Sequence, residues 1–197
     1  MKKIILGIVV LIILGGGAYF FVSQKSESPF SETIKDIKET LSGGPNTSDW
    51  QTYTSSARGF RIKYPPDYEV RGESEGVFFI PPELKDTTKP PETLKKLPLG
   101  ALTPPNQSYG TIAEEIKKQS EGASYSEETA KVILGVQGIE LKLGPKLGSG
   151  DNLHKLYNII PYKDGVLIFL TFATSKEQLK GQGVPLLDAF ISTFTSE

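Results

Sequence analysis

Leu153-His-Lys-Leu-Tyr-Asn-Ile-Ile-Pro-Tyr162 and Val166-Leu-Ile-Phe-Leu-Thr-Phe-Ala-Thr174, joined by Lys163-Asp-Gly165, decide the fold. Asp-Gly between two β-rich runs is a strong hairpin signal, because these residues tolerate the positive φ of a tight turn. The second run is continuously apolar at its start. A strand with one wet face alternates, so this one reads as the central strand of a sheet covered on both faces.

Working outward, each flank adds an element. Ser175 and Gln178 form a capping box, and Gly181 and Gly183 break the short helix it opens. Pro185 starts a last helix that buries Leu186, Leu187, Phe190, Ile191 and Phe194. Upstream, Thr129 to Leu134 and Val136 to Leu143 flank Gly135 and read as a second hairpin. Thr111-Ile-Ala-Glu114 is a capping box for a helix through about Gln119. Pro81 to Ser108, with seven prolines, shows no period and reads as one long loop. Before it, Tyr68 to Val70 and Gly76 to Ile80 read as strands. Phe60-Arg-Ile-Lys-Tyr64 alternates as a half-buried strand stopped by Pro65-Pro-Asp67. The expected class is α+β, an antiparallel sheet flanked by helices.

The N-terminal end has a different character. Ile4 to Val22 is an uncharged run preceded by Lys2 and Lys3, long enough as a helix to cross the roughly 30 Å hydrocarbon core of a bilayer. As a cleaved signal, its cut would follow Ala18, with Gly16 at −3. As a signal anchor, the helix continues through Tyr19, Phe20, Phe21 and Val22 to the far interface. The anchor is favoured, because an apolar run extending past the cut is unlike the polar end of a signal. Both readings export the rest of the chain, with the lysines kept cytoplasmic. Phe30, Ile34, Ile37 and Leu41 share one helical face, and Ser42 to Asp49 has linker composition. The organisation is therefore a cytoplasmic stub (1–3), a transmembrane helix (4–22), a spacer helix and linker (23–49) and an extracytoplasmic domain (50–197).

Composition narrows the chemistry. The absence of cysteine excludes disulfides, thiolate metal sites and a cysteine nucleophile. A net charge of −1 with mixed Lys and Glu gives no basic stripe for nucleic acid. His154 is the single imidazole, and as a base it would need a Ser or Thr beside it in space. Glu114-Glu115 and Glu127-Glu128 are adjacent pairs whose side chains diverge, so they read as solvated faces. Gly148-Ser-Gly150 lacks the rest of a phosphate loop, and Asp151 suits a turn. No catalytic residue, cofactor site or metal site is assigned. Trp50, Tyr53, Tyr64 and Tyr68 either fill a core or offer a stacking surface to a glycan or peptide; Trp50, Tyr53 and Tyr68 stand as the candidate binding surface.

Tyr53-(x6)-Phe60-Arg-Ile-Lys-Tyr-Pro-Pro-Asp-Tyr-Glu-Val70 resembles the F-x-x-x-Y-P-x-x-[WY]-x-V opening of PsbP-like domains. Thr111-Ile-Ala-Glu-Glu-Ile116 is similar to that family's first helix, Tyr157 to Phe172 to its paired strands, and Leu187-Asp-Ala-Phe-Ile-Ser-Thr-Phe194 to its closing helix. The resemblance covers nearly all of residues 50 to 197. It implies an α-β-α sandwich and a non-catalytic accessory or binding role outside the cytoplasm, with a protein or envelope component as partner. Metal sites of some plant members do not carry over to a chain with one histidine, and Pro81 to Ser108 matches no family feature. An envelope hydrolase and a photosystem II extrinsic accessory protein are the alternative functions.

Overall fold

The computed structural model describes residues 44–73, 75–85, 94–119, 121–148 and 152–197. The run from Ile4 to Val22, the spacer helix from Phe30 to Leu41 and Asp151 lie outside the described residues. Strands β1 (Gln51–Ser55) and β2 (Phe60–Tyr64) pair antiparallel. Strands β3 (Glu69–Glu73), β4 (Gly76–Ile80), β5 (Leu99–Leu102), β6 (Ser126–Ile133), β7 (Val136–Leu143), β8 (His154–Tyr162) and β9 (Gly165–Ala173) follow. These seven form one antiparallel sheet in the order β3-β4-β5-β9-β8-β7-β6. The strand expected at the centre is the fourth of seven.

β9 holds that place because neither of its faces is polar. Leu167, Phe169 and Ala173 enter one core cluster, and Val166, Ile168 and Leu170 the other. Its one buried hydroxyl, on Thr171, donates to the Pro98 carbonyl at 2.7 Å. Helix α1 (Tyr109–Gln119) covers the second cluster with Ile112 and Ile116. The first is covered by α2 (Lys176–Gln178), a π-type turn (Leu179–Gly183) and α3 (Val184–Ser192), whose Leu187, Phe190 and Ile191 are buried. β10 (Thr195–Ser196) then joins β2, so β1-β2-β10 is a separate small sheet on the α3 side. The architecture is α+β, with helices on both faces of an antiparallel sheet.

Aromatic rings tie the small sheet to the large one. Phe79 on β4 stacks on Tyr64 of β2 at 4.7 Å between centroids and meets Phe190 of α3 edge-on at 5.4 Å. Phe194 touches Phe60 at 5.5 Å, Tyr162 at 5.7 Å and Phe169 at 5.5 Å. Such pairs add about 0.5–1.5 kcal/mol each beyond their area burial.

Four details differ from the sequence reading. Leu99–Leu102, read as loop, is β5, buried at every residue between β4 and β9. The five residues between Pro98 and Pro104 are too few for a period to register. The first helix is capped by Ser108, whose hydroxyl accepts from the Thr111 N–H at 3.2 Å; Thr111 is already inside the helix. The β8–β9 turn residues are Lys163, at φ 51°, and Asp164, while Gly165 already pairs with Tyr162. Gly181 and Gly183 do not end the helix. The backbone widens into the π-type turn and runs on into α3. Two other expectations stand in the structure. Ser175 accepts from the Gln178 N–H at 3.1 Å, and Gly135, at φ 77°, forms the β6–β7 turn with Leu134 at φ 53°.

Phe79 is fully buried among four strands and α3, so Phe79→Ala is expected to cost about 3–5 kcal/mol. Equilibrium urea unfolding measures this, and a loss under about 1 kcal/mol would show that the two sheets are not coupled through this ring.

Candidate functional site

One rung crosses the large sheet on its α3 face: Gly72, Val77, Ala101, Phe169, Asn158, Glu140 and Thr129 stand opposite one another from β3 to β6. Its first half is apolar and lies under α3 and the small sheet. At Asn158 the character changes. Asn158 is fully buried, and among the described residues no group hydrogen bonds to its Oδ1 or Nδ2. Buried carboxamides are ordinarily satisfied, so this residue marks the polar half of the face as a candidate site.

Beyond it lies a lattice of four charges. Lys131 Nζ donates to Glu140 Oε2 at 2.7 Å and to Asp188 Oδ1 on α3 at 2.9 Å, and Lys142 reaches Glu140 Oε1 at 2.7 Å. Both Glu140 oxygens are therefore engaged. Burial pushes the Glu140 carboxyl up, but the hydrogen bonds from Lys131 and Lys142 outweigh it and hold it below the ordinary range. Burial depresses the Lys131 ammonium, and its bonds to Glu140 and Asp188 outweigh that and hold it above the ordinary range. Two ammoniums and two carboxylates balance in charge, and each carboxylate is neutralised by lysine. Gly138 makes room here, since any Cβ on it would strike the Ile159 carbonyl and the Ile160 side chain.

A second cluster lies at the start of β8. Tyr125 stacks on His154 at 5.6 Å, and its hydroxyl meets His154 Nδ1 at 2.9 Å. Lys176 sits 4.3 Å over the Tyr125 ring and bonds Glu127 at 2.7 Å. Burial lowers the His154 pKa, and Glu177 opposes this in part, so the imidazole is neutral at pH 7. Burial raises the Tyr125 phenol. The hydroxyl beside His154 is thus a phenol kept protonated, where the sequence reading asked for Ser or Thr. Among the described residues no three His, Asp or Glu side chains gather as a metal site.

The aromatic candidates lie elsewhere. Trp50 and Tyr68 are 9% and 8% exposed, and the Tyr68 hydroxyl donates to the Leu97 carbonyl at 2.9 Å. Tyr53 is half-buried, its ring edge-on to Phe79 at 5.8 Å. The core has taken the faces of Trp50 and Tyr68, which corrects the reading of them as a stacking surface. Glu127 and Glu128 do diverge, the first to Lys176 on the α3 side and the second to Lys117 of α1. Asn158, Glu140 and Lys131 were missed as a group. Their one sequence signal was a polar residue inside each of three neighbouring β runs.

No family model and no curated protein matches the chain. Among solved structures, it is similar to cyanobacterial PsbP from Synechocystis sp. PCC 6803, at 16% identity over 79% of this chain and 96% of that one, with a TM-score of 0.49. LpqN of Mycobacterium tuberculosis, described as involved in cell envelope biogenesis, is 14% identical over 85% and 98%, with a TM-score of 0.38. A Pseudomonas aeruginosa protein of unknown function is 10% identical over 67% and 87%, at 0.36.

The signs of the shifts fix a pH window. Glu140, lowered on folding, stabilises above its unfolded pKa of about 4.3, and this is lost as pH falls through the folded value. Lys131, raised on folding, stabilises below about 10.4, and this is lost as pH rises through its folded value. Glu140→Gln is expected to cost about 1–3 kcal/mol at pH 7, with the gap to wild type closing below about pH 4. Urea midpoints across pH test it; a gap that persists unchanged at pH 3 would show that packing, not charge, is responsible.

Proposed function

We propose that the chain is a membrane-tethered, extracytoplasmic domain of PsbP-like type that binds a protein or envelope component without catalysis. The observation that carries the tether is the uncharged run from Ile4 to Val22 behind Lys2 and Lys3, separated from Trp50 by the spacer and linker of residues 23–49. Among the described residues no helix is long and apolar enough to cross a membrane.

The PsbP-like reading draws support from where its motif residues lie. Phe60, Tyr64 and Tyr68 are buried in the α3-side core, and Val70 packs against it. The closing helix contributes Leu187 and Phe190 to the same cluster. The binding reading draws support from the site itself. Its carboxylates are neutralised by lysines and its imidazole is bonded to a phenol, which suits recognition and positioning better than proton transfer.

Fractionation of cells expressing the full chain tests the tether. The protein is expected to stay in the membrane pellet after an alkaline carbonate wash, with its C-terminal domain open to protease from outside. A soluble product beginning near Tyr19 would replace the anchor with a cleaved signal. Crosslinking in native membranes then reports the partner, and turnover of an envelope substrate by the purified chain would overturn the non-catalytic role.

A further inference from the structure

β6 is an edge strand of eight residues, Ser126-Glu-Glu-Thr-Ala-Lys-Val-Ile133, hydrogen-bonded to β7 on one side only. Among the described residues nothing pairs with its outer edge. Ser126 to Ala130 are exposed, and Val132 is 58% exposed, one of two large apolar side chains open to water among the described residues. A long open edge is a template for another strand unless charge or proline blocks it. This edge has no proline and no bulge across its pairing with β7, and it carries Glu127, Glu128 and Lys131.

Those three charges select among partners. Consider a second copy of the same strand, antiparallel about a two-fold axis normal to the sheet. Directly opposed residues then share a face, so the axis must pass through a residue. An axis at Glu127, Glu128 or Lys131 places that charge against itself. An axis at Ala130 sets Glu127 opposite Ile133 and Lys131 opposite Thr129, leaving no charge paired. An axis at Thr129 sets Glu127 opposite Lys131 of the partner subunit, twice by symmetry, with Thr129 facing its own copy. Opposite charges and Thr–Thr pairs are both favourable cross-strand neighbours.

We infer that β6 is a self-association edge, joining two copies of this chain through antiparallel β6 pairing centred on Thr129. Glu127 and Lys131 lie on the α3 face, where each already has a partner, Lys176 for the first and Glu140 with Asp188 for the second. Pairing therefore links the two charge clusters across the new seam and leaves both intact. The charges disfavour other strands and favour this register over those that oppose like charges or leave them unpaired. One strand is a small interface beside the roughly 1,600 Å² of a standard complex, so the dimer is weak and forms where the chain is concentrated. The inference is independent of the domain's ligand.

The cysteine-free chain makes the register directly testable. Thr129→Cys in the full chain, in detergent micelles, is expected to form a disulfide-linked dimer on mild oxidation, because opposed Cβ atoms lie within disulfide reach. Glu128→Cys and Ala130→Cys are each expected to crosslink poorly alone but to crosslink with each other when mixed, since those two positions face one another. Glu127→Lys, an exposed change checked for folding by circular dichroism, is expected to weaken the dimer in analytical ultracentrifugation by about tenfold. Equal crosslinking at all three positions, a dimer indifferent to Glu127→Lys, or a monomer at every concentration would each overturn the inference. The last result includes the case in which residues 1–43 cover the edge.

Discussion

Everything in this domain depends on hiding both faces of the strand from Gly165 to Ala173. An apolar run of that length cannot face water, and a strand has two faces, so two separate covers are required. Helix α1 supplies one, with Ile112 and Ile116. The other is composite, because the single helix α3 is too narrow for the width of a seven-stranded sheet, and β1-β2-β10 fills the remainder. Phe79, Phe190 and Phe194 join those two pieces. The arrangement lets a chain with no cysteine keep a core that needs no covalent staple, in a domain of about 150 residues that buries roughly two-thirds of its unfolded surface.

The composite cover stops short, and the sequence changes where it does. The rung from Val77 through Phe169 is apolar under aromatic packing, and from Asn158 to Thr129 it is polar. Between them α3 touches the sheet through Asp188 and Lys131 in place of a hydrophobic ridge. Buried ion pairs are weak sources of net stability, because desolvation consumes most of the Coulombic gain. What they supply is geometry. By bonding Glu140 on β7 and Asp188 on α3 together, Lys131 ties the helix to the β6–β7 end of the sheet. The carboxamide of Asn158, buried with no hydrogen-bond partner among the described residues, costs stability at the boundary. A polar residue at such a place is one that packing alone does not explain.

The fold was legible in sequence wherever one period or one turn dipeptide governed an element. Continuous apolarity placed β9 at the centre, Gly135 and Lys163-Asp-Gly165 placed the hairpins, and Ser175 with Gln178 placed a cap. Short elements held by tertiary contact were not legible. β5 is four residues long and exists because β4 and β9 both need a neighbour. β1 has an exposed, polar sequence and is a strand only because β2 pairs with it. The charge lattice escaped for another reason. Lys131, Glu140 and Asp188 each look like surface residues, and only the register of β6 on β7 and the seating of α3 bring them together. The aromatic candidates failed in the opposite sense, since Trp50 and Tyr68 are attractive stacking groups until the core claims them.

The same lattice explains why the β6 end of the sheet carries charge at all. Extending the hydrophobic face to β6 would have given α3 a broader seat and the domain a larger core. It would also have left an apolar edge strand open to indiscriminate strand addition. Charges facing inward at Lys131 and Glu140 cost some stability and remove that hazard. With Glu127 and Glu128 of one sign at one end of β6 and Lys131 of the other sign at the other, one self-pairing brings opposite charges together, while others oppose like charges or leave them unpaired. The edge is then less a defect tolerated by the fold than the part of its surface most narrowly specified by sequence.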